Sequence, residues 1–321
     1  MRYLITGGCG FIGSNIAEEL LRRGEEIRVL DNLSSGKEDN LAFDGDGSIE
    51  LIIGDVTKEE DCRRAVRDVD YVLHHAALVS VQGSIDNPLL ANAVNITGTL
   101  NMLVAARDAG VQRFILASSS AVYGDLPGSG PAPDEAKIET MTTNPLSPYA
   151  VGKRSGEEYC SVFSSLYGLR TIALRYFNVF GKRQDSGSPY AGVIPKFVTA
   201  LQKGEQPVIY GDGLQSRDFV FVGDVVQANL MACGFRGAAN RQGDIFNVAS
   251  GKSSTVTELL DELKDIIGST VAPRHDDARP GDILHSRADI SHVRDTLGFT
   301  PGFSLREGLE ETVRWYQDHT P

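Results

Sequence analysis

Tyr149 and Lys153 are the residues with the clearest chemical potential in this chain, because they stand four apart in the run Tyr149-Ala-Val-Gly-Lys153. Ser147 and Pro148 ahead of them suit an N-cap and a first helical residue. The spacing predicts a helix from Pro148 on which both side chains share a face. A free phenol titrates near ~10, too high for a base at neutral pH. An ammonium group one turn away favours the phenolate and would bring it into working range. The same pair on an ordinary surface helix would do nothing, so the rest of the chain has to decide.

A base that strips the proton from a carbinol needs an acceptor for the hydride. The first strand, residues 2–7, runs into Gly7-Gly8-Cys9-Gly10-Phe11-Ile12-Gly13, and a helix is predicted from about Ser14 to Arg23. Gly7 permits a tight turn, Gly10 lets a pyrophosphate approach the backbone, and Gly13 lets helix and strand pack closely. The helix N-terminus then offers free N–H donors to phosphate. Asp31, at the end of a second strand over 26–30, stands where a carboxylate would take both adenosine ribose hydroxyls and repel a 2′-phosphate. Asn32 follows it rather than an arginine, which favours NAD over NADP, although Lys37 is close by. Asp55 and Val56, past the third strand, suit adenine contacts; Asp55 equally suits a helix N-cap.

Further strands are predicted at 49–53, 71–74, 113–117 and 171–175, with helices at 58–66, 90–109 and 148–167 between them. Strand alternating with helix implies an α/β, Rossmann-type doubly wound parallel sheet. From about Phe177 the pattern turns irregular, with short elements at 193–203, 224–233, 256–267 and 305–319. We therefore divide the chain into a NAD-binding domain, 1–176, and a smaller C-terminal α/β substrate lobe, 177–321, with segments crossing between them. The loop from Asp125 to Pro145 is placed across the mouth of the site.

The 321 residues suffice for such a two-lobed unit. A net charge of −12 without a Lys/Arg cluster argues against nucleic acid as a partner. No apolar run reaches the roughly 18 residues of a membrane span. The four cysteines, Cys9, Cys62, Cys160 and Cys233, are widely spaced and fit free thiols in a reducing cytoplasm. His74 and His75 are neighbours in a strand, point to opposite faces and cannot chelate together, so no metal site is predicted.

With the glycine turn, Asp31, Ser118-Ser119-Ser120-Ala-Val-Tyr-Gly and Tyr149/Lys153 together, the chain resembles the extended short-chain dehydrogenase/reductases. Arg175-Tyr-Phe-Asn-Val-Phe-Gly181, Arg217-Asp218 and Arg279-Pro-Gly-Asp282 narrow the resemblance to nucleotide-sugar enzymes, above all to UDP-hexose 4-epimerases acting on UDP-N-acetylglucosamine. The resemblance implies tightly bound NAD, regenerated each turnover, held by the glycine turn with Phe11 and Ile12, by Asp31, Asn32, Asp55, Val56, Ala76 and Tyr176, and by Tyr149 and Lys153. It implies that Ser119 relays or stabilises the proton between the sugar O4 and Tyr149, although Ser118 and Ser120 are near enough to take its place. For the UDP-sugar it implies Ser80, Ser119, Ser120, Asn178, Val193, Phe197, Arg217, Arg279, Asp282 and Ser286; residues such as Val193 and Phe197 are also the usual stuff of a core.

The resemblance also bears on the reaction. Dehydratases of this superfamily carry Asp-Glu just after the hydroxyl residue, and decarboxylating relatives place a Glu at the second position; here these are Ser120 and Ala121. Epimerases confined to plain hexoses carry a tyrosine where Ser286 stands, so Ser286 implies room for an N-acetyl group. A dehydrogenase releasing NADH each turnover, or a non-catalytic NAD sensor, would keep the same fold. The helices at 90–109 and 148–167 match those that pair into a homodimer in this superfamily, through residues such as Leu100, Leu103 and Val104, which would equally suit packing on the sheet.

Overall fold

A computed structural model describes residues 1–43, 49–124, 135–187, 192–235, 243–278 and 284–319. Its centre is a seven-stranded sheet in which every pairing is parallel. The strands are β1 (Arg2–Thr6), β2 (Glu26–Asp31), β3 (Ile49–Ile53), β4 (Tyr71–His74), β5 (Arg113–Ser119), β6 (Thr171–Tyr176) and, after the small β7 (Asn178–Phe180), β8 (Val208–Tyr210), β9 (Ser216–Arg217) and β10 (Phe219–Phe221), the distant β11 (Asp244–Val248). Their order is β11-β6-β5-β4-β1-β2-β3. The order reverses between β1 and β4, and a crevice opens at such a switch point beyond the carboxyl ends of the strands.

Both faces of the sheet are covered, so its strands are nearly unbroken apolar runs. On one face, helix α1 (Phe11–Arg22) packs on the sheet with a helix of the C-terminal half. The other carries α2 (Glu59–Ala65), α3 (Val81–Asp86), α4 (Pro88–Asn92), α5 (Thr99–Asp108) and α6 (Pro148–Tyr167). The C-terminal half adds α7 (Val193–Gln202), α8 (Val222–Gly234), α9 (Val256–Ile267), α10 (Ser291–Leu297) and α11 (Leu305–His319), with short strands β12 (Ser254–Thr255), β13 (Arg274–Asp276) and β14 (His285–Ser286). It has a core of its own, built from Phe180, Ile194, Phe197, Phe219, Leu259 and Leu309. The chain also returns to the main sheet after residue 177: β11 pairs with β6, and α8 packs on α1.

Several elements depart from expectation. Helix α1 starts at Phe11, three residues early, because extended Gly10 serves as its N-cap and the Gly10 carbonyl accepts from Ser14 N at 3.0 Å. The helix expected over 90–109 begins as α4 and passes through a π-helical stretch, Ala93–Gly98, before α5. By length and a mean hydropathy of 1.4, the run Pro88–Asp108 would qualify as a membrane span, where none was expected. Its Ala91, Met102, Leu103, Ala105 and Ala106 are instead buried, mostly against the sheet. The four thiols are buried and unpaired. His74 and His75 face opposite ways, His74 to Thr6 and Thr99, His75 to Tyr176.

Candidate active site

At the carboxyl end of β1, Gly7 takes φ +69°, and a Cβ there would stand 2.7 Å from the backbone nitrogen of Ala76. A Cβ on Gly13 would meet the Gly7 carbonyl oxygen at 2.3 Å, so α1 can lie on the turn only if this position is bare. A Cβ on Gly10 would touch nothing but the Gly7 oxygen, at 3.1 Å, which leaves that stretch of backbone open to a ligand. Asp31 is nearly buried beside it. One carboxylate oxygen accepts from Cys9 N at 2.9 Å and the other from Leu33 N at 2.8 Å. Each retains a lone pair for a ribose hydroxyl. Lys37, which a 2′-phosphate would need, lies 3.6 Å from Asp185. These residues fit a dinucleotide without a 2′-phosphate, which is NAD.

The remaining cofactor candidates divide. Phe11 packs toward the small-lobe core and Ile12 toward the main one. Asn32 donates to Asp55 at 3.0 Å, and Asp55 also accepts from Thr57 N at 2.8 Å, so it organises its own turn while the N-cap of α2 is Lys58. Val56 is buried, and Ala76 N donates to Thr6 Oγ1. The Tyr176 ring does not reach an open site: it is buried, with its hydroxyl engaged by His75 and Asn229, because the side chain at this register turns into the core.

Helix α6 begins as the sequence predicts, with Ser147 accepting from Ala150 N and Pro148 in the first turn. It lies unusually close to its neighbours: a Cβ on Gly152 would stand 2.8 Å from Asn95 Cβ, and one on Gly156 3.0 Å from Leu116. Lys153 is thereby driven under the end of β5, where its ammonium donates to the Ala117 carbonyl at 2.7 Å. The Ser119 hydroxyl stands close enough to the half-buried Tyr149 phenol to favour its ionised form. Ser118 faces away and donates to buried Glu157 at 2.6 Å. Ser120 opens a 3-10 turn, Ser120–Tyr123, capped by the Ser119 hydroxyl. Of the three serines, Ser119 is therefore the one that meets the phenol, since consecutive residues of a strand point to opposite faces.

The electrostatics differ from the simple expectation. Burial raises the Tyr149 pKa, and the Ser119 hydrogen bond offsets only part of that. Burial also pushes Lys153 down to about 8. Its ammonium sits 5.7 Å from the Tyr149 ring centroid and is bonded to Ala117, so it does not by itself bring the phenol into working range.

Sequence reasoning passed over several polar residues behind the site. Arg175 and Glu157, both almost fully buried, form two 2.8 Å hydrogen bonds. Arg175 lies over the Tyr123 ring, and Tyr123 donates to Asn247 of β11 at 2.7 Å. Asn95, in the π-helical stretch, donates to and accepts from Leu78, fixing the loop between Ala76 and Ser80. A π-bulge often marks such a place. The sequence signals available were Glu157, a further turn along the helix from Lys153, and the places of Tyr123 and Arg175 in the motifs that carry the resemblance.

The substrate candidates come together in part. Arg217 and Ser286 are directly opposed in the β9–β14 pairing, and exposed Asn178 donates its backbone N–H to the carbonyl of the next residue, Asp218, at 3.0 Å. Burial pushes the Asp218 carboxyl up to about 6. Ser80 caps α3 by accepting from Gly83 N. Phe197 is 2% exposed within the small-lobe core and Val193 half-buried against it, so both are packing residues here. Arg279 and Asp282 lie outside the described residues, as do residues 125–134 of the loop expected over the mouth.

Residues 3–249 match the NAD dependent epimerase/dehydratase family. The chain is 38% identical to a putative UDP-glucose 4-epimerase of Methanocaldococcus jannaschii over 318 residues, 98% of both proteins. Its structure resembles a UDP-N-acetylglucosamine 4-epimerase of Methanobrevibacter ruminantium, solved in complex with UDP-N-acetylmuramic acid, at TM-score 0.91 and 42% identity over 99% of each chain. A UDP-glucose 4-epimerase of Thermus thermophilus in complex with NAD superposes at TM-score 0.88 and 36% identity over the whole of both chains. Glycine turn, ribose carboxylate and Ser–Tyr–Lys cluster thus sit on a fold shared along its full length, and the chain belongs to the NAD dependent epimerase/dehydratase family.

Proposed function

We propose that the protein interconverts the C4 epimers of a UDP-hexose through a transient 4-keto sugar, with NAD retained and regenerated at each turnover. One observation carries this: the Tyr149 phenol meets the Ser119 hydroxyl beside buried Lys153, at a strand end followed by Ser120 and Ala121. Tyr149 would take the proton of the C4 hydroxyl, with Ser119 relaying or stabilising it, and return it after the ketone has presented its other face. Lys153 would hold the nicotinamide ribose. NAD, when bound, supplies a hydride acceptor and a positive charge. Ser120 and Ala121 offer no carboxyl group for an elimination, so oxidation and reduction fall on one carbon. Arg217, with Arg279, would grip the diphosphate and leave the hexose free to turn. The names of the relatives support this reading.

The direct test incubates the purified protein, without added NAD, with UDP-GlcNAc, UDP-glucose and UDP-glucuronate separately. Appearance of a C4 epimer is the expected result; no epimer from any of the three would refute the proposal. We further propose that N-acetylated sugars are accepted, because Ser286 is small and stands directly opposite Arg217. Ser286→Tyr should reduce UDP-GlcNAc turnover at least about tenfold, as overpacking a filled site costs about 1–3 kcal/mol, and spare UDP-glucose. Equal effects on both sugars would contradict it.

A homodimer is also proposed, with a revised contact surface. Leu103 is buried in the core and Leu100 and Val104 pack against it, so these residues face the sheet. Leu89 and Leu90 of α4 and Val162 and Leu166 of α6 are exposed, Leu89 by 82% and Leu166 by 72%, on helices that lie side by side. An apolar surface of this kind marks an association site. Light scattering should give twice the 34.7 kDa chain mass, and Leu166→Glu should return it to the monomer; a wild-type monomer would reject the dimer.

A further inference from the structure

Asp218 takes no part in the chemistry proposed above, yet its carboxylate is fully buried. One oxygen accepts from the Ser250 backbone N–H at 2.8 Å and the Ser250 hydroxyl at 2.7 Å. The other accepts from Gly251 N and Ala288 N, each at 3.1 Å. All four donors are neutral, so the carboxylate is held by oriented dipoles.

The segments it gathers are those that carry the substrate candidates. The Asp218 backbone carbonyl receives the Asn178 N–H, Arg217 precedes it in the chain, and Ala288 follows Ser286 by two residues. β9 and β14 are two residues long, with His285 set against Ser216 and Ser286 against Arg217. Strands this short do not hold their own register; an outside anchor must do it. Ala288 is also bridged to Lys137, whose N–H donates to the Arg287 carbonyl at 2.8 Å and whose carbonyl accepts from Asp289 N at 2.9 Å.

We propose that Asp218 is a positioning residue for the nucleotide-sugar: by pinning residues 250–251 and 288 it sets β14 against β9, and so presents Asn178, Arg217 and Ser286 as one binding edge. This rests on the function proposed above. A purely structural role would lower stability and leave substrate affinity alone; a positioning role raises KM and leaves kcat.

The test uses the NAD-loaded protein and its Asp218→Asn and Ser250→Ala variants, with turnover kinetics on a UDP-hexose and calorimetric titration with UDP. In Asp218→Asn an amide N–H₂ faces backbone donors, which leaves buried groups unpaired. KM and the Kd for UDP are expected to rise about tenfold or more, with kcat within about threefold and NAD content unaltered. Ser250→Ala, which removes one donor, should shift both constants the same way by less, and it carries the test if Asp218→Asn does not fold. A folded, NAD-loaded Asp218→Asn with unchanged KM and UDP affinity overturns the proposal, as does a loss confined to kcat. If the wild type binds UDP but epimerises no UDP-hexose, the functional reading fails while the UDP titration still decides the role of Asp218.

Discussion

Tyr149→Phe is expected to lower turnover of a UDP-hexose by a factor of about 10²–10⁴ and to leave bound NAD in place. The exchange removes one oxygen and little else. The helix keeps its Ser147 cap, and the Tyr149 backbone N–H still donates to the Ser84 hydroxyl at 3.0 Å. No neighbour can substitute as the base: Lys153 is committed to the Ala117 carbonyl, and Ser119 is a hydroxyl that already caps the turn after it. Most of the residues proposed to hold the dinucleotide lie elsewhere, at the glycine turn and around Asp31. Turnover and the nucleotide released on denaturation are the two measurements. Near wild-type turnover would remove Tyr149 from the mechanism, and loss of NAD would make the effect indirect.

The second large effect is on stability. Arg175→Leu should cost about 3–5 kcal/mol and lower Tm by about 4–7 °C. The reason is the charge left behind: Glu157 is 2% exposed, Arg175 supplies its two 2.8 Å hydrogen bonds, and as a charged partner only the longer 3.3 Å contact of partly exposed Arg154 would remain. Glu157 also receives the Ser118 hydroxyl, so its displacement would disturb the strand end that presents Ser119. Replacing both partners, as in Glu157→Gln with Arg175→Met, should cost less than Arg175→Leu alone, because no uncompensated charge remains buried. Thermal melting of the single and double variants checks this; a single variant melting with the wild type would show that the pair contributes nothing.

Much of the fold was written in local patterns. The glycine turn, Asp31 at the end of β2, and the start of α6 at Ser147-Pro148 all follow from residues within one or two turns of chain, where backbone sterics, capping and period act directly. The pairing of Tyr149 with Lys153 was legible for the same reason, since a four-residue spacing on a helix places two side chains on one face by geometry alone. The absence of a carboxyl group at Ser120 and Ala121 was equally plain from the chain.

What tertiary structure decided is everything that depends on which surfaces meet. Three serines in a row are equivalent in sequence; strand alternation and the approach of α6 assign Ser118 to Glu157 and Ser119 to Tyr149. Spacing put an ammonium near a phenol, but the burial that sets both pKa values, and the Ala117 carbonyl that takes the ammonium, come from packing α6 against the π-helical stretch at Gly152 and against β5 at Gly156. Phe197 was open to a binding or a core reading, and Tyr176 carried a cofactor role, until the fold closed over both. Asp218 stood out in the sequence only as part of the Arg217-Asp218 motif, and nothing local pointed to its contacts, because its four donors come from residues at least 32 positions away. Local sequence encodes conformation; desolvation and long-range hydrogen bonding belong to the assembled chain, and in this protein they turn a plausible pair of residues into a site.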